Sequence, residues 1–595
     1  MSADKLRLAQ RFASLSPSGQ QRFIDELKAR GMNFGRLPIA ARGCSEAALS
    51  YAQQRLWFLW QLDRDSGLYN IPRAVRLRGV LDQAALQQTF DALVERHESL
   101  RTTFHQDGEQ AVQRIHPAHP LPIAITDLRD SHPAQRDAAI QSQVDAEAQA
   151  PFDLELGPLL RVRLLWLADD DHILLVTMHH IVSDGWSMNV VIDEFARLYA
   201  GFVTGQPVPL PPLPIQYADY AAWQKQWLEA GELERQLRYW KSHLADDGTV
   251  VLELPTDRPR PAVPSHRGGA VSFSLDAALS AKLRALARRT DTTLFTVLLA
   301  AFQVLLYRYT GQRDLRIGVP VANRNRVETE GVVGFFVNTQ VLRTDIDGSM
   351  AFDAVLATAR ESVLQAQAHQ ELPFEQLVEA LQPERDLSHN PLFQVMLNHQ
   401  RRDLRALDRL PGLVLEKVER TANAAKVDLA LDTQEDEQGV LSGVFGYAAD
   451  LFEHDTVERL QRHYIGVLQC VADNPAIAIA GVPLLSTDEE RQLNGWNTVD
   501  RRFSAAEPPH IAIGRQAAQR PDAIAVRCGA RAIRYGELDT ESTRLAYALH
   551  AAGAGPETVV GVVLDRSPDL IVRLLATLKA GAAYLPLDPE LPAAR

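Results

Sequence analysis

Cysteine is scarce: Cys44, Cys470 and Cys528 are the three in 595 residues. Their wide separation excludes a disulfide framework and the short ligand spacings of a zinc site, and points to a reducing compartment. A basic excess is also missing, since 62 Lys and Arg face 75 Asp and Glu for a formal net charge of −13. Nucleic acids and anionic membranes recruit Lys and Arg through counterion release and surface potential, so neither is expected as a partner. No run approaches the roughly 20 apolar residues of a membrane span, and the polar stretch from Met1 to Gln20 has no signal-peptide core. A soluble, cytoplasmic protein is expected.

The residues present have the balance of a globular protein, 46% hydrophobic and 23% charged. At roughly 100–200 residues per domain, the length calls for several compact units. Leu6, Leu8 and Phe12, then Phe23, Ile24 and Leu27, recur at helical spacing on either side of Ser16-Pro17-Ser18. They predict a short helix pair serving as a linker or docking segment. Proline clusters from Pro207 to Pro214 and from Pro255 to Pro264 mark extended connectors.

Two stretches read as distant copies: LQQTFDALVER from Leu86 and LLAAFQVLLYR from Leu298. Each is an apolar helix with Phe, then Leu, then Arg, followed by an extended segment, as a duplicated lobe requires. A site between two such lobes is then expected, because pockets favour domain interfaces. After about residue 485, apolar runs at Ile524, at Val559 to Leu564 and from Tyr584 alternate with helices over Glu537 to Ala552 and Leu570 to Ala580. That alternation predicts an α/β unit with a parallel sheet.

One segment carries candidate chemistry. Ile173 to Met178 reads as a strand, and a helix with Ser187 as its N-cap runs on to Tyr199. Between them lies His179-His180-Ile181-Val182-Ser183-Asp184-Gly185-Trp186. Adjacent strand residues face opposite ways, so one histidine of the pair faces a given cleft. Imidazole titrates near ~6.5 and suits proton transfer from an amine near neutral pH. Asp184 is placed to orient the ring or brace the loop, and Gly185 to let backbone N–H groups approach an oxyanion. No third ligand has a spacing that favours a metal.

The heptapeptide resembles the HHxxxDG signature of the condensation-domain superfamily of non-ribosomal peptide synthetases. Six further segments resemble that family's motifs in order: SYAQQRLWFL from Ser50, RHESLRTTF from Arg96, YADYAAW from Tyr217, IGVPVANR from Ile317 with GFFVNT from Gly334, HQELPFEQL from His369, and Arg385-Asp386-Leu387 with PLFQV from Pro391. The resemblance implies an α/β (α+β) fold of two chloramphenicol-acetyltransferase-like lobes in a V-shaped pseudo-dimer, over residues 43–220 and 221–482 after a helical segment at 1–42. It implies His180 as the catalytic residue where donor and acceptor tunnels meet. His179, Asp184, Gly185, Trp186 and Ser187 would support it, with Asn338 at the lobe interface. Asp184 would pair with an arginine, for which Arg96, Arg101 and Arg324 are candidates.

The implied reaction is amide formation between a donor acyl or peptidyl thioester and the α-amine of an acceptor aminoacyl thioester. Both would ride on phosphopantetheine arms of separate carrier domains, with no covalently bound cofactor in this chain. Because Met1 opens the chain, the donor carrier is expected in trans. The chain lacks the DxxxxD pattern of heterocyclisation domains, and its opening motif resembles the subclass that joins an L-donor to an L-acceptor. Beyond a linker at 483–505, residues 506–595 resemble the beginning of an adenylation domain, through IRYGEL from Ile533 and LKAGAAYLPLD from Leu578. That truncated fragment lacks a phosphate loop and a catalytic C-terminal lysine, so no amino-acid activation is expected from it. Two alternatives stand beside this reading: a coenzyme-A-dependent acyltransferase of the same fold, and a non-catalytic platform for docking carriers.

Overall fold

The computed structural model describes residues 3–15, 17–30, 34–130, 132–206, 208–244, 251–381, 388–401, 410–418, 423–498 and 507–589. The chain divides into two compact units, Met1–Glu489 and Glu490–Arg595. Arg385, Asp386 and Leu387 lie outside the described residues, as do Ser16 and residues 499–505 of the expected linker.

Two main sheets organise the first unit. The five-stranded sheet runs Val414–Lys417, Asn70–Arg78, Asp171–His179, Leu160–Ala168, Ile123–Asp127. Every neighbouring pair in it is antiparallel except the last. The Asp171–His179 strand is central and buried on both faces, which is why ILLVTM reads as an unbroken apolar run. The seven-stranded sheet runs Asn338–Asp345, Asp314–Val321, Val395–Arg401, Leu429–Glu435, Leu441–Ala448, Arg267–Ser274, Asn423–Ala424. Its core is built on Leu294–Thr310, a helix apolar on all sides and buried at every residue from Thr296 to Leu306. Thr293 caps its first turn, and Gly311 closes it at a φ of 69°.

The suspected repeat lands on matching helices. Phe90 and Leu93 of Gln83–Arg96, like Phe302 and Leu305 of Leu294–Thr310, are all but inaccessible to solvent. The following strands differ: Asp314–Val321 joins the seven-stranded sheet, whereas Thr102–Asp107 joins a separate three-stranded one. The sheets also exchange chain, because Val414–Lys417 pairs with Asn70–Arg78. A boundary between residues 220 and 221 falls inside the helix Tyr217–Trp227, which is a single rigid element.

The N-terminal helices Ala3–Ala13 and Pro17–Ala29 form as the spacing predicts. They are not a free-standing segment, because Phe12, Ile24 and Leu27 are buried in the same apolar cluster as Trp57, Tyr217 and Phe336. In the second unit, Val559–Val563 and Ala583–Leu587 pair in parallel across the helix Pro568–Lys579. The parallel sheet expected there is confined to these two strands, and Ile524–Cys528 pairs antiparallel with Arg531–Arg534 as a separate two-stranded sheet. Among the described residues no single helix is long and apolar enough to cross a membrane.

Gly79 sits where the exchanged strand docks. Its φ is +122°, and an added Cβ would lie 2.0 Å from the carbonyl oxygen of Gly412. Gly79→Ala is expected to lower stability by roughly 1–3 kcal/mol through overpacking and backbone strain, read as a lower urea midpoint.

Candidate active site

The strand Asp171–His179 ends in a tight turn, His180–Val182, and the helix Gly185–Thr204 follows at once. Backbone bonds fix the two histidines: the His179 N–H donates to Leu159 (3.0 Å) and the His180 N–H to Tyr69 (2.8 Å). As period-two alternation predicts, the rings part. His179 is buried, its Nδ1 accepting from the Ile181 N–H at 3.2 Å. His180 instead lines a cleft.

The Nδ1 of His180 lies 2.9 Å from the carbonyl oxygen of Ser183. A carbonyl can only accept, so Nδ1 carries the hydrogen and Nε2 keeps its lone pair, with no partner among the described residues. The edge of Phe335 packs on the ring at 4.8 Å. Burial, then the charges of Lys426 and Arg55, push the His180 pKa down to about 3, so the imidazole is neutral at pH 7.

Asp184 does not touch the imidazole. One carboxylate oxygen accepts from the Ser187 N–H (2.7 Å), capping the helix, and the other accepts from the Phe336 N–H (2.9 Å). Arg324 donates to it at 3.3 Å, both side chains being almost wholly enclosed. The guanidinium also bonds Ser187 Oγ (2.7 Å) and the carbonyls of Val332 and Thr329, and lies 3.9 Å over the Phe336 ring. Of the three candidate arginines, Arg324 is thus the partner. Arg96 pairs with Glu194 at 3.0 Å, and Arg101 bonds the His116 carbonyl. Ser187 is the third residue of the helix and not its cap, because the helix starts earlier, at Gly185, and Asp184 caps it by accepting from the N–H of Ser187 itself. The Ser187 hydroxyl bridges instead to the Gly334 carbonyl (2.8 Å) and N–H (3.0 Å).

The cleft encloses about 890 Å³ and draws its lining from both sheets. His180, Gly185 and Trp186 come from the turn and helix that follow the central strand of the first sheet, Asn338 from a strand of the second and Lys426 from the loop before another of its strands. The Trp186 indole N–H donates to the Glu330 carbonyl at 2.9 Å. Asn338 donates to the Gln370 and Leu372 carbonyls (2.9 and 2.6 Å) and accepts from the Phe374 N–H (3.1 Å), so it shapes the wall. A second cavity of about 1160 Å³ shares Arg55, Tyr69, Phe374 and Lys426 with the first. Among the described residues no cluster of three or more His, Cys, Asp or Glu is arranged to hold a metal.

Gln53 and Tyr217 belong to the family motifs, but their sequence context assigns them no task. The Gln53 amide donates to the Ile181 carbonyl (3.3 Å), and the Tyr217 hydroxyl lies 2.8 Å from Ser50 Oγ and donates to the Phe335 carbonyl (2.5 Å). Both therefore tie the histidine turn and its facing segment to the first motif helix, Tyr51–Leu62.

This architecture is shared with proteins of peptide assembly. The X-domain from teicoplanin biosynthesis matches with a TM-score of 0.67 and 32% identity, over 75% of this chain and 100% of that one. A four-domain nonribosomal peptide synthetase bound to AMP and glycine matches at 0.73 with 26% identity, over 93% of this chain and 42% of that one. Residues 44–494 match the Condensation domain family and residues 513–595 the AMP-binding enzyme family. The chain belongs to the condensation domains of nonribosomal peptide synthetases, followed by the start of an AMP-binding domain. A linear gramicidin synthase of Brevibacillus parabrevis is 44% identical over 92% of this chain, and the chain spans 7% of its length. Phosphinothricin tripeptide synthetase PhsC of Streptomyces viridochromogenes is 40% identical over 99%, and the chain spans 54% of its length.

Asp184→Ala would leave Arg324 buried without its counter-charge and is expected to cost roughly 3–5 kcal/mol, measured by chemical denaturation. The histidines give a second test. His179 is likewise pushed down to about 3, mainly by burial. In the unfolded chain both take up a proton below pH ~6.5, whereas the native pair stays neutral, so the stability they confer is full above that pH and lost as pH falls towards 3. Imidazole NMR is expected to show both rings neutral from pH 8 to 5, with His180 as the Nδ1–H tautomer.

Proposed function

We propose that the cleft joins an acyl or peptidyl donor to the α-amine of an aminoacyl acceptor, each held as a thioester on a carrier's phosphopantetheine arm. The observation that carries this reading is the neutral His180 ring, locked through Nδ1 on the Ser183 carbonyl, with an unengaged Nε2 in a cleft between two sheets. In the reaction the amine nitrogen attacks the donor carbonyl carbon, the C–N bond forms as the C–S bond breaks, and the displaced thiolate takes up the proton the amine loses. An imidazole with so low a pKa is a poor base towards a free ammonium. Its Nε2 accepts a hydrogen bond from the amine and aims the nitrogen lone pair at the carbonyl. Orientation of this kind contributes up to ~7–11 kcal/mol to such a reaction. Once the C–N bond exists, the nitrogen is far more acidic and a weak base suffices to pass its proton on.

The finer assignments follow the same reading. The subclass is L-donor to L-acceptor, resting on the opening motif, and the two adjoining cavities receive the two arms. His179, Asp184, Ser187, Trp186 and Asn338 hold the site without touching substrate. Amino-acid activation is assigned to other domains.

The test is dipeptidyl thioester formation from two loaded carriers. His180→Ala is expected to lose roughly 10²–10⁴-fold in rate while remaining folded. Near-normal product from the variant would eliminate the role, and turnover with free coenzyme A thioesters in place of carrier-bound donors would favour the acyltransferase alternative.

A further inference from the structure

One cation in the cleft has no role in the reaction described above. Lys426 borders both cavities, the smaller one that holds His180 and the larger one beside it. Its Nζ lies 4.8 Å from the centre of the Tyr69 ring, and Tyr69 is the residue whose carbonyl anchors the His180 N–H. Among the described residues it makes neither a hydrogen bond nor an ion pair within 4.0 Å. The side chain is exposed and lines the cleft, within reach of whatever enters.

The charges around it are engaged elsewhere. Arg55 pairs with Glu375 at 3.3 Å, Arg324 with Asp184, and Arg260 with Asp428. Asp432, the acid that acts on Lys426, receives the Asn398 amide at 3.0 Å. The surrounding protein, then the Arg55 guanidinium, push Lys426 down to about 8, against the opposing pull of Asp432. It is still mainly an ammonium at pH 7. The side chain is exposed and lines the cleft without an ion-pair partner among the described residues, so its N–H donors are open to an anionic group that enters.

We propose that Lys426 is a binding site for a carboxylate on the acyl or aminoacyl substrate, so that the cleft selects a thioester with an acidic side chain over its neutral counterpart. The proposal rests on the thioester-condensing reading for the kind of molecule that enters, and on the unpaired ammonium for its charge. The face of Tyr69 holds the ammonium through its quadrupole, leaving the N–H donors to the ligand.

Two probes differing only in charge test this on the full chain: the succinyl and succinamoyl thioesters of N-acetylcysteamine, titrated by NMR at pH 7. Wild type is expected to bind the carboxylate roughly tenfold to a hundredfold more tightly, the range of one charge-assisted hydrogen bond. Lys426→Met is expected to erase the preference and Lys426→Arg to keep part of it, with circular dichroism and melting confirming the fold of each. His180→Ala should keep the preference in full, so a failure of the catalytic reading leaves this result standing. Equal binding of the two probes by wild type, or an unchanged preference in Lys426→Met, would overturn the proposal.

Discussion

The cleft depends on one buried ion pair. Asp184 and Arg324 are 140 residues apart in sequence and come from opposite sides of the site. Taking both charges out of water is unfavourable, and the pair is tolerable because nearly every polar atom in it has a second task. The carboxylate caps the helix after the histidine turn and holds the Phe336 N–H. The guanidinium gathers the Thr329 and Val332 carbonyls and the Ser187 hydroxyl. The histidine turn and the Gly334–Asn338 segment are thereby clamped together. Gly334 also packs closely on a third element, the helix Tyr217–Trp227, for a Cβ there would fall 1.9 Å from the Tyr217 ring.

That arrangement explains why the motif spaces its residues as it does. The aspartate holds the helix start and Arg324 while the histidine lines the cleft, and the four-residue step between them keeps the two apart. The ring is oriented by a backbone carbonyl one residue before Asp184, so its tautomer is set without a nearby negative charge that would raise its pKa. The imidazole stays neutral in a cleft where the charge acting on it most strongly is the Lys426 ammonium. A carboxylate on the ring would have made it a stronger base and left it protonated more often.

Much of this was legible in the sequence, for reasons that differ by residue. That the two histidines face apart, one into the core and the other towards the cleft, follows from the alternation of the strand that ends at His179. The family motifs marked many of the segments that line the cleft, and the all-apolar LFTVLLAAFQVLL announced a buried helix. The arginine partner was not legible: Arg96, Arg101 and Arg324 carry equal charge, and the choice is made by tertiary distance. Ser187 looked like a cap because serine is a common one, yet aspartate is as good a cap and the helix begins right after Asp184. The strand Arg531–Arg534 is too short and too charged to show a period of two. Val414–Lys417 joins the other sheet through edge pairing, which no local pattern encodes.

Lys426 was invisible for a related reason. It belongs to no periodic run, and a single lysine between an apolar loop and a strand is ordinary as sequence. Its significance comes from what lies around it: each neighbouring carboxylate is already held by an arginine, an amide or a backbone N–H. The same placement lowers the charge on His180 and puts a positive potential on the wall common to both cavities. On the proposed reading, a neutral hydrogen-bond acceptor for the amine and a cation for an anionic group then share one cleft, and the ammonium that lowers the basicity of the imidazole is also the group that draws in an anion.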